Sequence, residues 1–518
     1  MFCRLGRCLP LVFSLTFAVD AQTRRAPDRH ATVTLDAVAR ASIPRLSSPP
    51  IHRPIRVPVF QDAATASAVR KPVATPPDGA AIHTGFPAIY DSYVSTPPDT
   101  QGAVGRMDAV SMTNSGLLVQ SRSGVSRQGY PISLQQFWGP LGTFTRIFDP
   151  RLLYDAANDR WIASSGANPE AADAALLLAV SESGDPGGQW DLFQMEIGVS
   201  GYWADYPVLG FSRDWIVVTA NLFGLPPDGA YARTALYVFD KAAIYQSGKA
   251  AYATFSDTQG ELSPVVDLDN TSATFYFAQA FAGAASGSIR IGALRGPVGA
   301  ETFTGGATEI ALPETWSSTS PEGEDFAPQS GSWLKVDTGD SRLQNCVMRG
   351  GTVWCTQTVF LPAEAPTRSS VQWFAADPAA ATLVQRGLID DAAGGTFYAF
   401  PSIAVNRRND VLIGYTRFTA NDYPSAGFAF RTAGPAGQPG AGAFQPAVVK
   451  PGEAPYVGRG ADESSNRWGD FSATVVDPAD GLSFWTIQEY AAIPTDYYPG
   501  RWATWWAAVS VMAGPGLP

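Results

Sequence analysis

The sequence predicts an exported all-β protein: a β-propeller of seven blades, with six or eight as the alternatives, in which each blade is a four-stranded antiparallel sheet. Its 518 residues include 50 Gly and 41 Pro, and 12% are aromatic, a composition typical of many short strands joined by tight turns. Units of alternating apolar runs recur about every fifty to seventy residues, the spacing of a propeller blade with enlarged loops. The chain also opens with the pattern of an export signal.

The export signal is carried by the first residues of the chain. The basic residues Arg4 and Arg7 precede an apolar run and then small residues near Ala21, which is the order found in secretory signal peptides. The apolar run is too short to span a bilayer. We therefore assign residues 1–22 to a signal peptide and predict a secreted protein, extracellular or periplasmic, that does not span the membrane and is a monomer.

A second segment, residues 23–84, is rich in Ala, Pro and Arg and has no sustained periodicity. We interpret it as a flexible leader, with the propeller occupying residues 85–518. All three histidines, His30, His52 and His83, precede residue 85. Histidine-dependent triads and histidine-ligated metals are therefore not expected in the propeller, and no Gly-rich phosphate loop predicts a nucleotide cofactor.

The charge of the chain limits its partners. The formal net charge is −11 and the sequence pI is about 4.9. Nucleic-acid-binding proteins usually carry a basic surface, so no nucleic-acid partner is expected, whereas an acidic surface favours solubility. An extracellular glycan or a cell-surface ligand is the partner that best fits an exported propeller.

The repeated units are located by their strand patterns and turns. The last unit, which contains Arg467 to Tyr490, shows only three strands. A strand from Pro87 to Val94 is predicted to complete it and to close the ring, which would remove the exposed sheet edges. The seven units begin near Pro97, Phe148, Ala204, Asp257, the cysteine hairpin, Phe400 and Arg467.

Removal of the signal peptide would leave two cysteines, Cys346 and Cys355. Between them, Gly350 and Gly351 form a favoured two-residue hairpin turn. Counting outward from this turn places the two thiols opposite each other at a non-hydrogen-bonded pair, where a cross-strand disulfide is possible. In an exported protein we expect the disulfide, the alternative being two reduced buried thiols.

A turn motif in the second unit supports the propeller. Residues 183–190 read Ser-Gly-Asp-Pro-Gly-Gly-Gln-Trp and resemble the Asp-box hairpin of sialidase-like propellers, departing from it only at Gln189. The motif lies between two predicted strands, in the expected place between the third and fourth strands of a blade. The resemblance implies that Asp185 is structural and lies on the face away from the ligand.

From about Pro97 to Tyr490 the chain resembles a group of poorly characterised secreted bacterial β-propellers. The Arg-Ile-Pro motif of true sialidases is absent, so the resemblance implies the fold and does not imply hydrolysis of neuraminic acid. It is carried by Pro-Pro-Asp-Thr-Gln-Gly-Ala-Val-Gly at 97–105, Asp-Pro-Arg-Leu-Leu-Tyr-Asp at 149–155, Asp-Tyr-Pro-Val-Leu-Gly at 205–210 and Trp-Gly-Asp-Phe-Ser-Ala at 468–473.

Four aspartates each stand just before a strand that is predicted to be innermost in its blade, so they should converge on one mouth of the central channel. Like charges gathered there must be separated by a cation, paired with arginine or partly protonated. Arg151 and Arg467 are nearby in sequence and could pair with them. The four are Asp99, Asp149, Asp205 and Asp470.

Three interpretations of these aspartates remain open. They could accept backbone hydrogen bonds at loop corners, they could bind calcium, or they could supply the acid and base of a glycosidase. We interpret the chain as a glycoside hydrolase or lyase that acts on an extracellular polysaccharide, with Asp149, Asp205 and Asp470 as catalytic groups. The alternative is a non-catalytic, calcium-stabilised binding or surface-interaction propeller.

Other residues are predicted to contact the substrate. Aromatic side chains near the mouth could stack on sugars, although aromatic residues at alternating strand positions are more often core. Glu489 follows a strand and is expected at its far end as a solvated residue. The predicted substrate-binding residues are Asp99, Arg151, Arg467, Trp203 and Trp468.

Overall fold

The computed structural model describes residues 24–41, 80–92, 95–283, 286–306, 309–321, 325–434, 443–458, 465–495 and 500–511. Seven antiparallel sheets stand radially around a central channel, which confirms the predicted seven-bladed propeller. None of the described helices is long and apolar enough to cross a membrane. The predicted signal peptide and the central part of the predicted leader lie outside the described residues.

The first three blades follow one another along the chain, with the innermost strand first. Blade 1 has only three strands, and the segment that follows them bridges to its outer strand at Ser126 and Ile132. Blade 1 contains Gln101–Val104, Asp108–Thr113 and Gly116–Ser121; blade 2 contains Ile147–Asp155, Arg160–Ala167, Ala175–Ser181 and Gln189–Glu196; blade 3 contains Tyr202–Phe211, Trp215–Gly224, Tyr231–Asp240 and Tyr252–Asp257.

The remaining blades repeat this order. Blade 4 contains Ser263–Pro264, Phe275–Phe281, Gly287–Arg295, Thr302–Thr304 and Glu309–Leu312; blade 5 contains Leu343–Arg349, Thr352–Leu361, Arg368–Asp377 and Thr382–Ile389, with Val266–Asp267 added in parallel. Blade 6 contains Thr396–Val405, Val411–Thr419, Asp422–Arg431 and Gln445–Lys450; blade 7 contains Ala473–Val476, Phe484–Ala492, Arg501–Val511 and Ala80–Tyr90.

A few elements lie outside the blades. Asp325–Ala327 and Val336–Asp337 form a small two-stranded sheet. The α-helices are Leu35–Ala41, Leu134–Trp138 and Lys241–Ser247, and the 3-10 helices are Gly139–Leu141 and Gly198–Ser200. Asp240 caps the helix at Lys241–Ser247 by accepting from the Ala243 amide, which satisfies a donor that the first helical turn leaves free.

The ring closes as predicted, because Ala80–Tyr90 pairs antiparallel with Arg501–Val511 in blade 7. The strand begins earlier than the predicted one, and it therefore includes His83. The propeller is thus not free of histidine, contrary to our prediction. His83 is exposed on the outermost strand of its blade, so no histidine among the described residues lines the channel mouth.

Part of the predicted flexible leader is ordered. Arg29–Thr34 pairs antiparallel with Gln189–Glu196 and becomes a fifth strand of blade 2. The following helix buries Leu35 and Ala39. His30 lies on this strand, where its Nε2 is 2.9 Å from Asp191 Oδ1. The segment is ordered because the outermost strand of blade 2 presents unpaired backbone groups that an added strand can satisfy.

Close packing between blades 7 and 1 requires a glycine. The indole of Trp506 is fully buried, and its Nε1 donates to Ser111 Oγ at 2.8 Å. A Cβ atom at Gly102 would lie 2.6 Å from this indole ring, which is far below van der Waals contact. Gly102 therefore allows the innermost strand of blade 1 to meet the wall of blade 7.

The cysteine hairpin matches the prediction. Cys346 pairs with Cys355 across the two strands, and their sulfur atoms form a disulfide with the Cα atoms 4.2 Å apart. Gly350 and Gly351 have φ values of 56° and 77°, which glycine adopts without steric cost. The turn thus sets the register that brings the two cysteines together.

The Asp-box turn joins the third and fourth strands of blade 2. Asp185 Oδ1 accepts from the Gly187 amide at 3.0 Å, and the buried Trp190 donates from Nε1 to Pro186 O at 3.0 Å. Strands of a blade alternate in direction, so this turn lies at the end of the propeller opposite to the start of the innermost strands. Asp185 is a structural residue in a turn, as the resemblance implied.

Candidate functional site

Four innermost strands share a backbone feature within or just before their first half, and Asp149 and Asp205 lie inside their strands and not before them as predicted. Asp99, Asp149, Tyr206 and Phe400 all have φ between 50° and 54°, the left-handed region that Asp and Asn tolerate better than most residues. A bulge in the strand pairing follows at three of these positions. Tyr206, and not Asp205, occupies the position in blade 3 that Asp149 occupies in blade 2. If the two blades are aligned by their Asp-containing motifs, Asp205 is therefore placed one residue away from the position that is structurally equivalent to Asp149.

Side chains at these bulges connect neighbouring blades. The Asp149 amide donates to Asn114 Oδ1 of blade 1 at 2.9 Å, and the Tyr206 amide donates to Asp149 Oδ2 at 3.2 Å. The Asp470 amide likewise donates to Asp99 Oδ1 at 3.1 Å. Asp99 and Asp149 thus accept backbone hydrogen bonds at loop corners. This is the first of the three interpretations of the aspartates that the sequence left open.

A cavity of about 560 Å³ opens where the innermost strands begin. Seven carboxyl groups and three guanidinium groups line it, so the cavity is acidic. Trp203 is partly exposed on the wall and packs on Phe223 with ring centroids 5.5 Å apart. The charged residues are Asp99, Asp149, Glu170, Asp205, Asp337, Asp340, Asp470, Arg146, Arg342 and Arg467.

Asp205 and Asp470 are partly exposed in this cavity and differ in their surroundings. Both carboxylate oxygens of Asp470 accept from Arg467 Nη2, at 2.9 and 2.8 Å. Burial raises the pKa of the Asp205 carboxyl; the charge of Arg342 opposes this increase and the charge of Asp470 adds to it. The cavity therefore contains one carboxyl group that holds its proton more tightly than usual beside one that is ion-paired with arginine.

Asp99 and Asp149 form a second, deeper pair. Burial, followed by the charge of Asp470, raises the pKa of Asp99 to about 6. Burial and the charge of Asp99 raise the pKa of Asp149 well above its ordinary value. The two carboxyl groups are therefore coupled, and burial together with nearby like charges favours the protonated form of both.

The pKa of Asp99 predicts a pH dependence of stability. Since the folded protein binds this proton more tightly than the unfolded chain, the stabilisation is complete below about pH 4 and is lost as the pH rises through about 6. A change from 3.8 to about 6 corresponds to about 3 kcal/mol. We expect the melting temperature of Asp99→Asn to fall less than that of the wild type between pH 4 and pH 8. Asparagine suits the left-handed backbone there.

The matched control for this measurement is Asp228→Asn, because Asp228 is exposed in a loop of blade 3. Its melting curve should follow the wild type at every pH. Parallel pH profiles for Asp99→Asn and the wild type would contradict the raised pKa of Asp99.

Several site residues were missed by the sequence analysis. Arg342 donates to both oxygens of Asp340, at 2.8 and 2.7 Å, and its guanidinium lies 4.1 Å from the ring centre of Tyr206. Glu261 lies 3.7 Å from Arg342, and burial raises its pKa to about 8. These residues precede the innermost strands of blades 4 and 5. The sequence pattern located those two units only at Asp257 and at the cysteine hairpin, so the carboxylates Glu261 and Asp340 were not recognised as preceding an innermost strand.

Two of the predicted substrate-binding residues do not line the cavity. Trp468 is 1% exposed and donates from Nε1 to Thr416 Oγ1 at 3.1 Å, so it belongs to the core. Arg151 is buried in the narrow part of the channel, where Nε donates to Pro207 O at 2.8 Å and the guanidinium stacks on Phe471. Neither residue is among those that line the cavity at the mouth.

Glu489 also differs from its prediction. Its strand is the second of blade 7 and runs back toward the mouth, so the side chain is buried near the cavity. Its Oε1 accepts from Thr100 Oγ1 at 2.6 Å, and burial raises its pKa well above the ordinary value. Within the described ranges, no group of three or more His, Cys, Asp or Glu side chains is arranged to hold a metal ion.

Comparison with known proteins gives no family for this chain. No family model matches it, and no curated protein matches it. A Hadza microbial sialidase is 8% identical with a TM-score of 0.35, covering 77% of this chain and 74% of that chain. Penicillium chrysogenum alpha-L-arabinanase complexed with arabinobiose is 10% identical with a TM-score of 0.28, covering 58% and 98%. A Synechocystis ACO mutant is 7% identical with a TM-score of 0.38, covering 67% and 71%.

These similarities are too low to bear on activity. The seven sheets define the fold of this chain, and the acidic cavity at the channel mouth is its candidate functional site.

Proposed function

We propose that this protein is a carbohydrate-active propeller that hydrolyses an extracellular polysaccharide at the channel mouth. One observation carries the proposal: Asp205, with a pKa raised by burial, and Asp470, ion-paired with Arg467, line the same cavity. Hydrolysis of a glycosidic bond uses such a pair of carboxyl groups. The protonated group donates its proton to the leaving oxygen while the ionised group attacks the sugar or activates water.

The surroundings support separate roles for the two groups. Asp205 serves as the general acid, because burial raises the pKa of its carboxyl group and so favours the protonated form. Asp470 serves as the base or nucleophile, because both of its carboxylate oxygens are held by the charged Arg467 Nη2 in the cavity. Asp149 is a positioning residue in this scheme, since it holds the Tyr206 amide beside Asp205.

The dimensions of the cavity suit a sugar. Its volume of about 560 Å³ falls within the range of about 300 to 1,000 Å³ found for small-molecule sites. The partly exposed indole of Trp203 offers a flat apolar surface on which a sugar ring can stack.

The proposal is tested by incubating the purified mature protein with a panel of neutral and acidic polysaccharides, with and without calcium, while reducing ends and ultraviolet absorbance are read in parallel. New reducing ends without absorbance would establish a hydrolase. Absorbance from unsaturated products would establish a lyase instead. Saturable binding without new ends on any substrate would contradict catalysis and favour a binding propeller.

A further inference from the structure

A second cavity lies at the periphery, between blades 5 and 6, well separated in the fold from the channel mouth. It has a volume of about 560 Å³. Trp373 on the third strand of blade 5 and Gln385 on its outer strand form one wall. Arg431, at the end of the third strand of blade 6, and Phe444, just before the outer strand, form the other wall. We call this cavity the interblade groove.

Arg431 is the unusual residue of the interblade groove. It is 6% exposed, yet no carboxylate of the described residues forms an ion pair with it. The only hydrogen bond that its side chain makes within the described part of the chain joins Nη2 to Gln385 Oε1 at 3.0 Å, and its buried Nε has no hydrogen-bond partner there. Burial lowers the pKa of its guanidinium to about 10. Burying a charged group without a paired charge is costly.

The apolar surroundings of Arg431 are aromatic. Its guanidinium carbon lies 4.5 Å from the ring centre of Trp373 and 4.9 Å from that of Phe444. These contacts stabilise a cation, but they leave the in-plane N–H donors unsatisfied. The Nε1 of Trp373 is also buried without a hydrogen-bond partner among the described residues. The groove thus combines unused donors with flat apolar faces.

The acidic side chains nearby are already engaged. Both oxygens of Asp390 accept from Arg368, at 2.7 and 2.8 Å. Arg386, which also lines the groove, is ion-paired with Glu314. The charge that remains available in the groove is therefore the positive charge of Arg431, in a protein whose net charge is −11.

We propose that the interblade groove binds an acidic sugar residue, a six-membered ring that carries a carboxylate. The carboxylate satisfies the free donors of Arg431, which recognise a planar anion well, and the ring packs against Phe444. The groove volume accommodates one or two such rings. The site is independent of the hydrolysis proposed at the channel mouth, because none of its residues lines that cavity.

The test is titration of the full mature chain with D-glucuronate, D-glucose and sulfate by isothermal calorimetry. Glucuronate is expected to bind at least tenfold more tightly than glucose, which lacks the charge, and than sulfate, which lacks the ring. Equal binding of glucuronate and glucose, sulfate binding as tight as that of glucuronate, or no saturable binding of glucuronate would overturn the proposal.

Variants separate a binding role from a structural one. Arg431→Gln should weaken glucuronate binding at least tenfold while leaving the melting temperature of the ligand-free protein unchanged or higher, because it removes an unpaired buried charge. Phe444→Ala, on the partly exposed side of the groove, should weaken binding without disturbing the core. Arg233→Gln is the matched control, since Arg233 stacks on Tyr202 at 4.6 Å in blade 3 and should leave binding unchanged.

A structural role predicts a different pattern. If Arg431→Gln lowers the melting temperature and Phe444→Ala leaves glucuronate binding intact, then Arg431 supports the contact between blades and the proposal is wrong. Because Phe444→Ala does not alter the charge, it gives an answer even if Arg431→Gln fails to fold.

Discussion

Asp470→Asn is expected to lower kcat on a cleaved polysaccharide by about 10³-fold, within the range of about 10² to 10⁴ that positioned acid–base groups contribute. Asparagine keeps the shape of the side chain and can still contact Arg467, but it can neither attack a sugar nor accept a proton from water. KM should change little, because the loss falls on the transition state and not on substrate binding.

Asp205→Asn provides the complementary measurement. A general acid matters most when the leaving group is poor, so this variant should lose about as much activity on the polysaccharide but much less on an aryl glycoside with a good leaving group. Asp470→Asn should be equally impaired on both substrates. The difference between the two variants in their activity on the aryl glycoside therefore distinguishes the general acid from the base or nucleophile, which loss of activity on the polysaccharide alone cannot do.

The control for both variants is Asp214→Asn. Asp214 is paired with Arg213 through two contacts, at 3.0 and 2.7 Å, but it does not line the acidic cavity. Its substitution should leave kcat and KM unchanged. Wild-type turnover in folded Asp205→Asn and Asp470→Asn would rule out the proposed acid and base.

Trp506→Ala should reduce the free energy of unfolding by about 3 to 5 kcal/mol, the usual cost of truncating a large buried aromatic residue. The indole is fully buried between the last and first blades, and its loss leaves Ser111 Oγ without the donor at 2.8 Å. Because these blades close the ring, the substitution weakens the contact on which closure depends.

Unfolding in urea, followed by fluorescence and circular dichroism, measures this effect. Trp333→Ala is the matched control, because Trp333 is 86% exposed and its truncation should change stability by less than about 0.5 kcal/mol. Equal stability of the two variants would mean that the contact between blades 7 and 1 contributes little to the fold.

Local features of the sequence predicted the fold well. The Gly350-Gly351 turn was sufficient to place Cys346 opposite Cys355, since the register of a hairpin follows from its turn. The missing strand of the last unit predicted that an early strand closes the ring, because an open edge would otherwise remain. Both inferences depend on contacts that the backbone pattern itself dictates.

The candidate site was predicted less completely. The sequence predicts that four aspartates converge on one mouth of the channel, and all four line the cavity there. They are Asp99, Asp149, Asp205 and Asp470. The carboxylates Glu261 and Asp340 were missed because the units of blades 4 and 5 carry weak strand patterns, and Arg342 was missed because only carboxylates were sought. The sequence motifs also align Asp205 with Asp149, although the positive φ value in blade 3 belongs to Tyr206, and backbone conformation at a bulge is not visible in the residue types alone.

The sequence by itself determined where strands and turns form, how the hairpins pair, which cysteines meet, and that acidic groups gather at one end of the channel. Only the tertiary structure decided that Trp468 is core while Trp203 is partly exposed, and that burial raises the pKa values of Asp99 and Asp149. The physical reason is that neighbouring blades cover both faces of the inner strands. Alternation along a strand then no longer distinguishes buried from exposed side chains, and burial and proton affinity depend on packing between blades.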